Sequence, residues 1–271
     1  MPKIVSVHSL RHGTGQSSLI ASLAVAIAQQ GQQVGIMNRD LQSEGIHALF
    51  GLDNGQEDAI LNDYLWNGFV HPTPSSLQPN FKVEPGAITL MGGDVYLAPC
   101  QAHLRDVPQL LQSGYDLGEL SQCFWELNRR LNFDYLFIDN HAGLTEEALL
   151  SLILCDVLLL VVYLDQQCLQ NVALTIDLAR KLGISTILLI VNQVLPEWSE
   201  PEVKQQLEVA YGEPVIGILP FTQEMFELNY DGIFCLRYPK HSLTQKIQAI
   251  AQQILNLDFI EEQLYSSLPQ R

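Results

Sequence analysis

The chain has 271 residues, 47% of them hydrophobic, enough to bury a three-layer core within one domain. Fourteen Lys and Arg stand against thirty Asp and Glu, a formal charge of −16 at pH 7 that opposes binding to phosphodiester backbones and anionic lipid surfaces. Its five cysteines, Cys100, Cys123, Cys155, Cys168 and Cys235, are odd in number and lack C-x-x-C spacing, which argues against a disulfide framework and suits buried thiols in a reducing compartment.

Ile4, Val5 and Val7 make residues 3–8 a short β-branched strand, broken soon after by Gly13 and Gly15. Over residues 17–30, Leu19, Ile20, Leu23, Ala24, Ile27 and Ala28 recur at helical spacing until Gly31 ends the run. A second strand, 34–37, leads into Asn38-Arg39-Asp40. Strand, glycine loop, helix and strand form a βαβ unit whose loop lies at the carboxyl edge of the sheet. The unpaired N–H groups and positive dipole end of that helix suit an anion.

Residues 71–86, rich in Pro, Ser and Asn, read as a surface loop. Gly92-Gly93 between Ile88-Thr89-Leu90 and Val95-Tyr96-Leu97 predicts a hairpin and an antiparallel edge. Residues 133–139 form an apolar strand ending in Asp139. The apolar stretch 149–164, interrupted by Asp156, is too short to span a membrane and reads as helix end, turn and buried strand. Helices over 166–182 and 202–211 then alternate with strands over 185–191 and 214–219. The expected fold is α/β, with a mostly parallel sheet covered by helices on both faces. One domain is expected over 1–256, with 257–271 an acidic tail or short helix. Because 257–268 carries Asp258, Glu261 and Glu262 and no Lys or Arg, it makes a poor membrane anchor. The opening strand, with no signal-like segment ahead of it, leads to an expected cytoplasmic location. The histidines are scattered without metal-ligand spacing, and no G-x-S-x-G or Cys–His arrangement suggests covalent catalysis.

A phosphate-binding loop reads G-x-x-x-x-G-K-[ST]. Here Leu10 stands for the first glycine and Gln16 for the lysine, while Gly15 and Ser17 remain. The strand ending in Asp139 supplies the context of a Walker B segment. The plain alternatives are an empty tight turn at residues 11–18, an Asp139 that caps the next helix, an Asn192 that caps a strand end, and a packed or solvated His141.

Arg11-His12-Gly13-Thr14-Gly15-Gln16-Ser17, Asn38-Arg39-Asp40 and Asp139-Asn140-His141-Ala142-Gly143-Leu144 resemble, in order and spacing, the deviant Walker A, D-x-D and switch II segments of ParA/MinD-type ATPases. Gly45-Ile46-His47-Ala48-Leu49-Phe50-Gly51, Thr145-Glu146-Glu147 and Asp165-Gln166-Gln167 resemble a branch of that family whose loop reads roughly S-F-R-G-G-T-G-K-S; the match spans residues 3–254. The resemblance implies a P-loop NTPase fold, ATP or ADP with Mg2+, and a homodimer. It assigns the phosphates to His12, Gly13, Thr14, Gly15, Gln16, Ser17 and Ser18, adenine to Asn192, and magnesium to Ser17 directly and Asp139 through water. Asp40 would position the attacking water. Arg11 would take the place of the signature lysine that reaches a dimer partner's phosphates, and can do so bidentately.

Three departures weaken that chemistry: His12 for glycine, Gln16 for lysine and Asn38 for the first aspartate of D-x-D. Gln16 carries no charge, and a lost charge-assisted bond costs about 1.5–3 kcal/mol. Losing one group that stabilises the transferred phosphoryl typically costs about 10²–10³ in rate. Any positive φ at position 12 would be harder for His than for Gly. The expected function is a positioning or regulatory switch with weak nucleotide binding and little or no hydrolysis. One alternative is a pseudo-ATPase scaffold for a protein partner, either a basic one or a lysine-bearing paralogue. Another is a dinucleotide-binding oxidoreductase using Gly13, Gly15 and Asp40 or Arg39, which Ser18 at the third glycine argues against. Neither nucleic acid nor membrane is an expected partner.

Overall fold

A computed structural model describes residues 2–38, 45–50, 93–98, 132–229 and 231–257. Its elements in chain order are β1 (Lys3–Ser9), α1 (Gln16–Ala28), β2 (Gln33–Asn38), α2 (Gly45–Leu49), β3 (Asp94–Ala98), β4 (Tyr135–Asp139), α3 (Glu146–Leu154), β5 (Val157–Val162), α4 (Gln166–Lys181), β6 (Thr186–Val194), α5 (Glu200–Tyr211), β7 (Val215–Pro220), α6 (Gln223–Leu228), α7 (Phe234–Arg237) and α8 (Ser242–Leu255). The seven strands form one sheet in the order β3-β2-β4-β1-β5-β6-β7. Every pairing is parallel.

The expected α/β sheet with helices on both faces is therefore present. Its central strands are apolar on both faces, as a sheet covered on each side requires. All of β5, Val-Leu-Leu-Leu-Val-Val, is buried. Alternate residues divide between two cores. Val157, Leu159 and Val161 pack with α1, α7 and α8, while Leu158, Leu160 and Val162 pack with α3, α4 and α5. Helix α1 is buried continuously from Leu19 to Ala28. Alanines at 21, 24, 26 and 28 give it a slim cross-section, so that β1, α2 and α8 can close around it.

The expected hairpin lies only partly within the described residues. Residues 94–98, its second arm, join the sheet parallel to β2, with Gln33 beside Asp94 and Met37 beside Ala98. The first arm, 88–90, lies outside the described residues, as do the loop 71–86, the tail beyond residue 257, Cys100 and Cys123. Gly93 has a packing reason: a Cβ there would stand 2.2 Å from the Ala28 carbonyl oxygen and 2.4 Å from that of Gln32. Only a residue without a side chain lets β3 start so near the end of α1.

Candidate functional site

The loop from Leu10 to Gly15 joins β1 to α1 at the carboxyl edge of the sheet, where open α/β sheets bind ligands. Gly13 and Gly15 hold it with φ of 77° and 76°. Glycine thus occupies both positions that need the left-handed region. His12 has no positive φ, so the backbone cost expected of that substitution does not arise. Its ring is exposed and stands edge-on to His141, centroids 4.7 Å apart.

β6 braces the loop from behind. The register between β6 and β7 shifts after Val191, and Gln193 adopts φ 57°. That irregularity turns two side-chain amides toward the loop. Asn192 Nδ2 donates to the Thr14 carbonyl at 2.7 Å, and Gln193 Nε2 to the Gly13 carbonyl at 2.9 Å. A Cβ on Gly15 would come within 2.8 Å of Asn192 Nδ2 and would push that amide away from its bond to Thr14.

Gln16, at the lysine position, turns away from the loop's mouth into the sheet. Its Nε2 donates to Asp139 Oδ1 at 2.6 Å and to the Asn140 carbonyl at 2.7 Å. Two acceptors fix which amide atom is nitrogen. Gln16 Oε1 is buried without a hydrogen-bond partner. Asn140 is held in turn: its Nδ2 donates to Ser6 Oγ at 2.8 Å and to the Val7 carbonyl at 3.0 Å, and its Oδ1 accepts from Ser151 Oγ. Asp139 does not cap the next helix; Thr145 caps α3 by accepting from the Ala148 N–H at 3.2 Å. Asn38 is the in-register neighbour of Asp139, and both are buried.

Arg11 is folded against its own chain. Its Nη1 donates to Asp165 Oδ2 at 2.5 Å, and its guanidinium lies 4.9 Å from the centre of the Tyr163 ring. Asp165 also caps α4, accepting from the Cys168 N–H at 2.8 Å. That backbone bond, followed by the bond from Arg11, holds the Asp165 carboxyl below the usual carboxylate range, while the bond to Asp165 raises Arg11.

Beneath the loop lies His8, 0% exposed, with no hydrogen-bond partner on either ring nitrogen. Burial first, and the nearby His141 second, lower its pKa to about 4, so the ring is neutral. Burial pushes the Cys155 and Cys235 thiols up to about 12 and about 11, which leaves them inert rather than nucleophilic. Among the described residues no group of His, Cys, Asp or Glu could hold a metal ion by itself.

Two cavities meet at the loop. One, about 190 Å³, is lined by Ser9, Arg11 to Ser18, Gly45, Asn140 and Ala142. Arg11 is the cationic side chain in that lining. The other, about 440 Å³, shares Gly13, Gly15 and Ser18 and extends between Asn192, Gln193, Phe221, Met225, Phe226, Leu243 and Ile247. A polar cradle at a helix N-terminus, opening into a larger apolar cavity, has the form of a site for a phosphorylated small molecule with a flat apolar body. The structure therefore brings together Arg11 to Ser18, Asp139 and Asn192; Asp40 and Arg39 lie outside the described residues. Sequence reasoning missed Gln193 and the wall from α6 and α8. For α8 a signal existed, since Leu243, Ile247, Ile250, Ala251 and Ile254 recur at helical spacing.

No family model matches the chain. It is 25% identical over 257 residues to an uncharacterized ATP-binding protein of Methanocaldococcus jannaschii, covering 94% of this chain and 88% of that one. In structure it is similar to a chain of a MinC:MinD cell division protein complex from Aquifex aeolicus, with a TM-score of 0.76, 18% identity, and coverage of 99% and 98%. It is also similar to the septum site-determining protein MinD of Pyrococcus horikoshii complexed with Mg-ADP, with a TM-score of 0.71, 22% identity, and coverage of 96% and 99%.

Proposed function

We propose, from the premise that this chain is a homologue of the MinD/ParA-type P-loop ATPases, that it acts as a nucleotide-binding switch which binds ATP or ADP weakly and hydrolyses little or none. The observation that carries this reading is the direction of Gln16. The phosphate cradle keeps Gly13 and Gly15 and the N–H groups of α1, but the side chain at the lysine position is neutral and spent on Asp139 and Asn140. Backbone donors and the helix dipole still favour an anion. Without the ammonium, affinity falls by about ten- to a hundredfold. The rate falls further, because Gln16 brings no positive charge to where charge would develop on a transferred phosphoryl group. Asp40 would orient water if any turnover survives.

In this reading the larger cavity, lined by Asn192, Phe221 and Phe226 among others, takes the nucleoside. The switch works as a homodimer or with a protein partner, one that is basic or a paralogous ATPase. Arg11 bridges to that partner once it leaves Asp165. The chain's acidity supports a basic partner surface over nucleic acid or membrane. No helix among the described residues is long and apolar enough to cross a membrane.

A second reading, a scaffold that binds a partner without nucleotide, draws on one observation. Gln16 and Arg11, the two side chains that would meet phosphate, are both engaged within the chain. Calorimetric titration with ATP and ADP, together with a phosphate-release assay and a Gln16→Lys variant, separates the readings. The switch predicts binding by the unaltered chain and tighter binding by the variant. Absence of binding by the unaltered chain, with binding restored in the variant, leaves the scaffold.

A further inference from the structure

Magnesium in such a site would call on the Ser17 hydroxyl and on a carboxylate that holds the ion's water shell, and it demands near-ideal octahedral room for that shell. The residues present do not fit this. Asp139 Oδ1 already accepts from Gln16 Nε2 at 2.6 Å, and the amide is held on its other side by the Asn140 carbonyl at 2.7 Å. The amide thus takes one carboxylate oxygen, Oδ1, and the space beside it. Nor does the carboxylate readily turn away, since Asp139 is 1% exposed and Asn140, next to it, is tied to Ser6, Val7 and Ser151. The neighbouring strand places Asn38, a neutral amide, in register with Asp139, so that position adds no charge that would draw a divalent ion.

We infer that this chain takes its nucleotide without magnesium, Gln16 filling the place of the metal's water shell, and that it prefers a nucleoside diphosphate to the triphosphate. The inference rests on the nucleotide-binding reading above. Opening the seat for a metal breaks a buried hydrogen bond to a carboxylate, a loss worth about ten- to a hundredfold in equilibrium. The metal-free ligand is more negative than its magnesium complex. The loop meets it with the N–H groups at the start of α1, whose first turn carries no acidic residue. A third phosphate adds charge where Arg11, the cation in the lining, is already bonded to Asp165. In a chain of net charge −16 the added charge is repelled, and the diphosphate is favoured.

The test is calorimetric titration of the full chain with ADP and with ATP, each in excess magnesium and in EDTA, beside a Gln16→Ala variant. Expected are an ADP affinity equal in both buffers to within about twofold, ADP binding at least as tight as ATP, and an affinity in the variant that improves about tenfold or more with magnesium. Electron paramagnetic resonance of Mn2+ added to the unaltered chain with ADP serves where the variant does not fold. The free-ion signal should fall no further than it does with ADP alone. Affinity of the unaltered chain that rises about tenfold with magnesium, or Mn2+ taken up by the chain–ADP complex, overturns this inference and leaves nucleotide binding standing. No binding of either nucleotide in either buffer by a folded chain overturns both.

Discussion

The loop has two flanks, and they have fared differently. Toward β6, two amides brace its carbonyls, both left-handed positions carry glycine, and an apolar cavity opens beyond it. Toward β4, the lysine position is an amide turned into the sheet, Asp139 Oδ1 accepts from that amide, and a neutral histidine lies buried beneath. In the function proposed above, the first flank would bind the ligand and the second would activate it. They draw on different strands, so one can be altered while the other keeps its shape.

The largest way to test this contrast is pH. His8 has a folded pKa of about 4 against an ordinary 6.5, so its burial favours the folded state fully above about 6.5 and loses that contribution as the pH falls toward 4. The 2.5-unit difference corresponds to ~3 kcal/mol. Thermal unfolding followed from pH 7 downward should show a His8→Leu variant losing less stability over this window than the unaltered chain. Equal losses would mean that the imidazole is not held neutral. Next in size, Gln16→Lys should tighten ATP by about ten- to a hundredfold in titration. If affinity stays flat, the β4 flank does not limit binding.

On the β6 flank two glycines form an internal control. Gly13→Ala meets nothing within 4 Å and should cost only the left-handed strain, ~1 kcal/mol. Gly15→Ala adds a push on Asn192 and should cost ~2 kcal/mol in denaturant melts while also weakening nucleotide binding. Similar costs for the two would show that the brace yields freely. The smallest effect is expected at the rim. Asp165→Asn keeps a residue able to cap α4 but removes the charge facing Arg11, so stability should hardly change. Sedimentation should then show more nucleotide-dependent dimer as Arg11 is released; an unchanged distribution would detach Arg11 from self-association.

Local pattern made the βαβ unit legible, since Ile4, Val5 and Val7 and the spacing from Leu19 to Ala28 need no distant partner to be read. The altered side chains could be read as well, but not their directions. Whether Gln16 faces the cradle or the sheet depends on an acceptor 123 positions away, and Arg11 is turned by a carboxylate 154 positions away. Gly93, read as a turn glycine, also serves a backbone approach to Ala28 and Gln32 that no window along the chain contains. The cavity wall escaped for two reasons. α6 is only six residues long, too short to show a period, while α8 carried a clear period that the strand-centred reading passed over.

The amide brace from β6 means that the loop does not wait for an occupant to give it form. Ordering entropy is spent when the chain folds rather than when a ligand arrives, so even a shallow interaction energy can hold a guest. For the same reason, occupancy would add little rigidity of its own. A signal sent from this site would have to travel through what the guest displaces, Arg11 from Asp165, and not through a slack loop becoming taut.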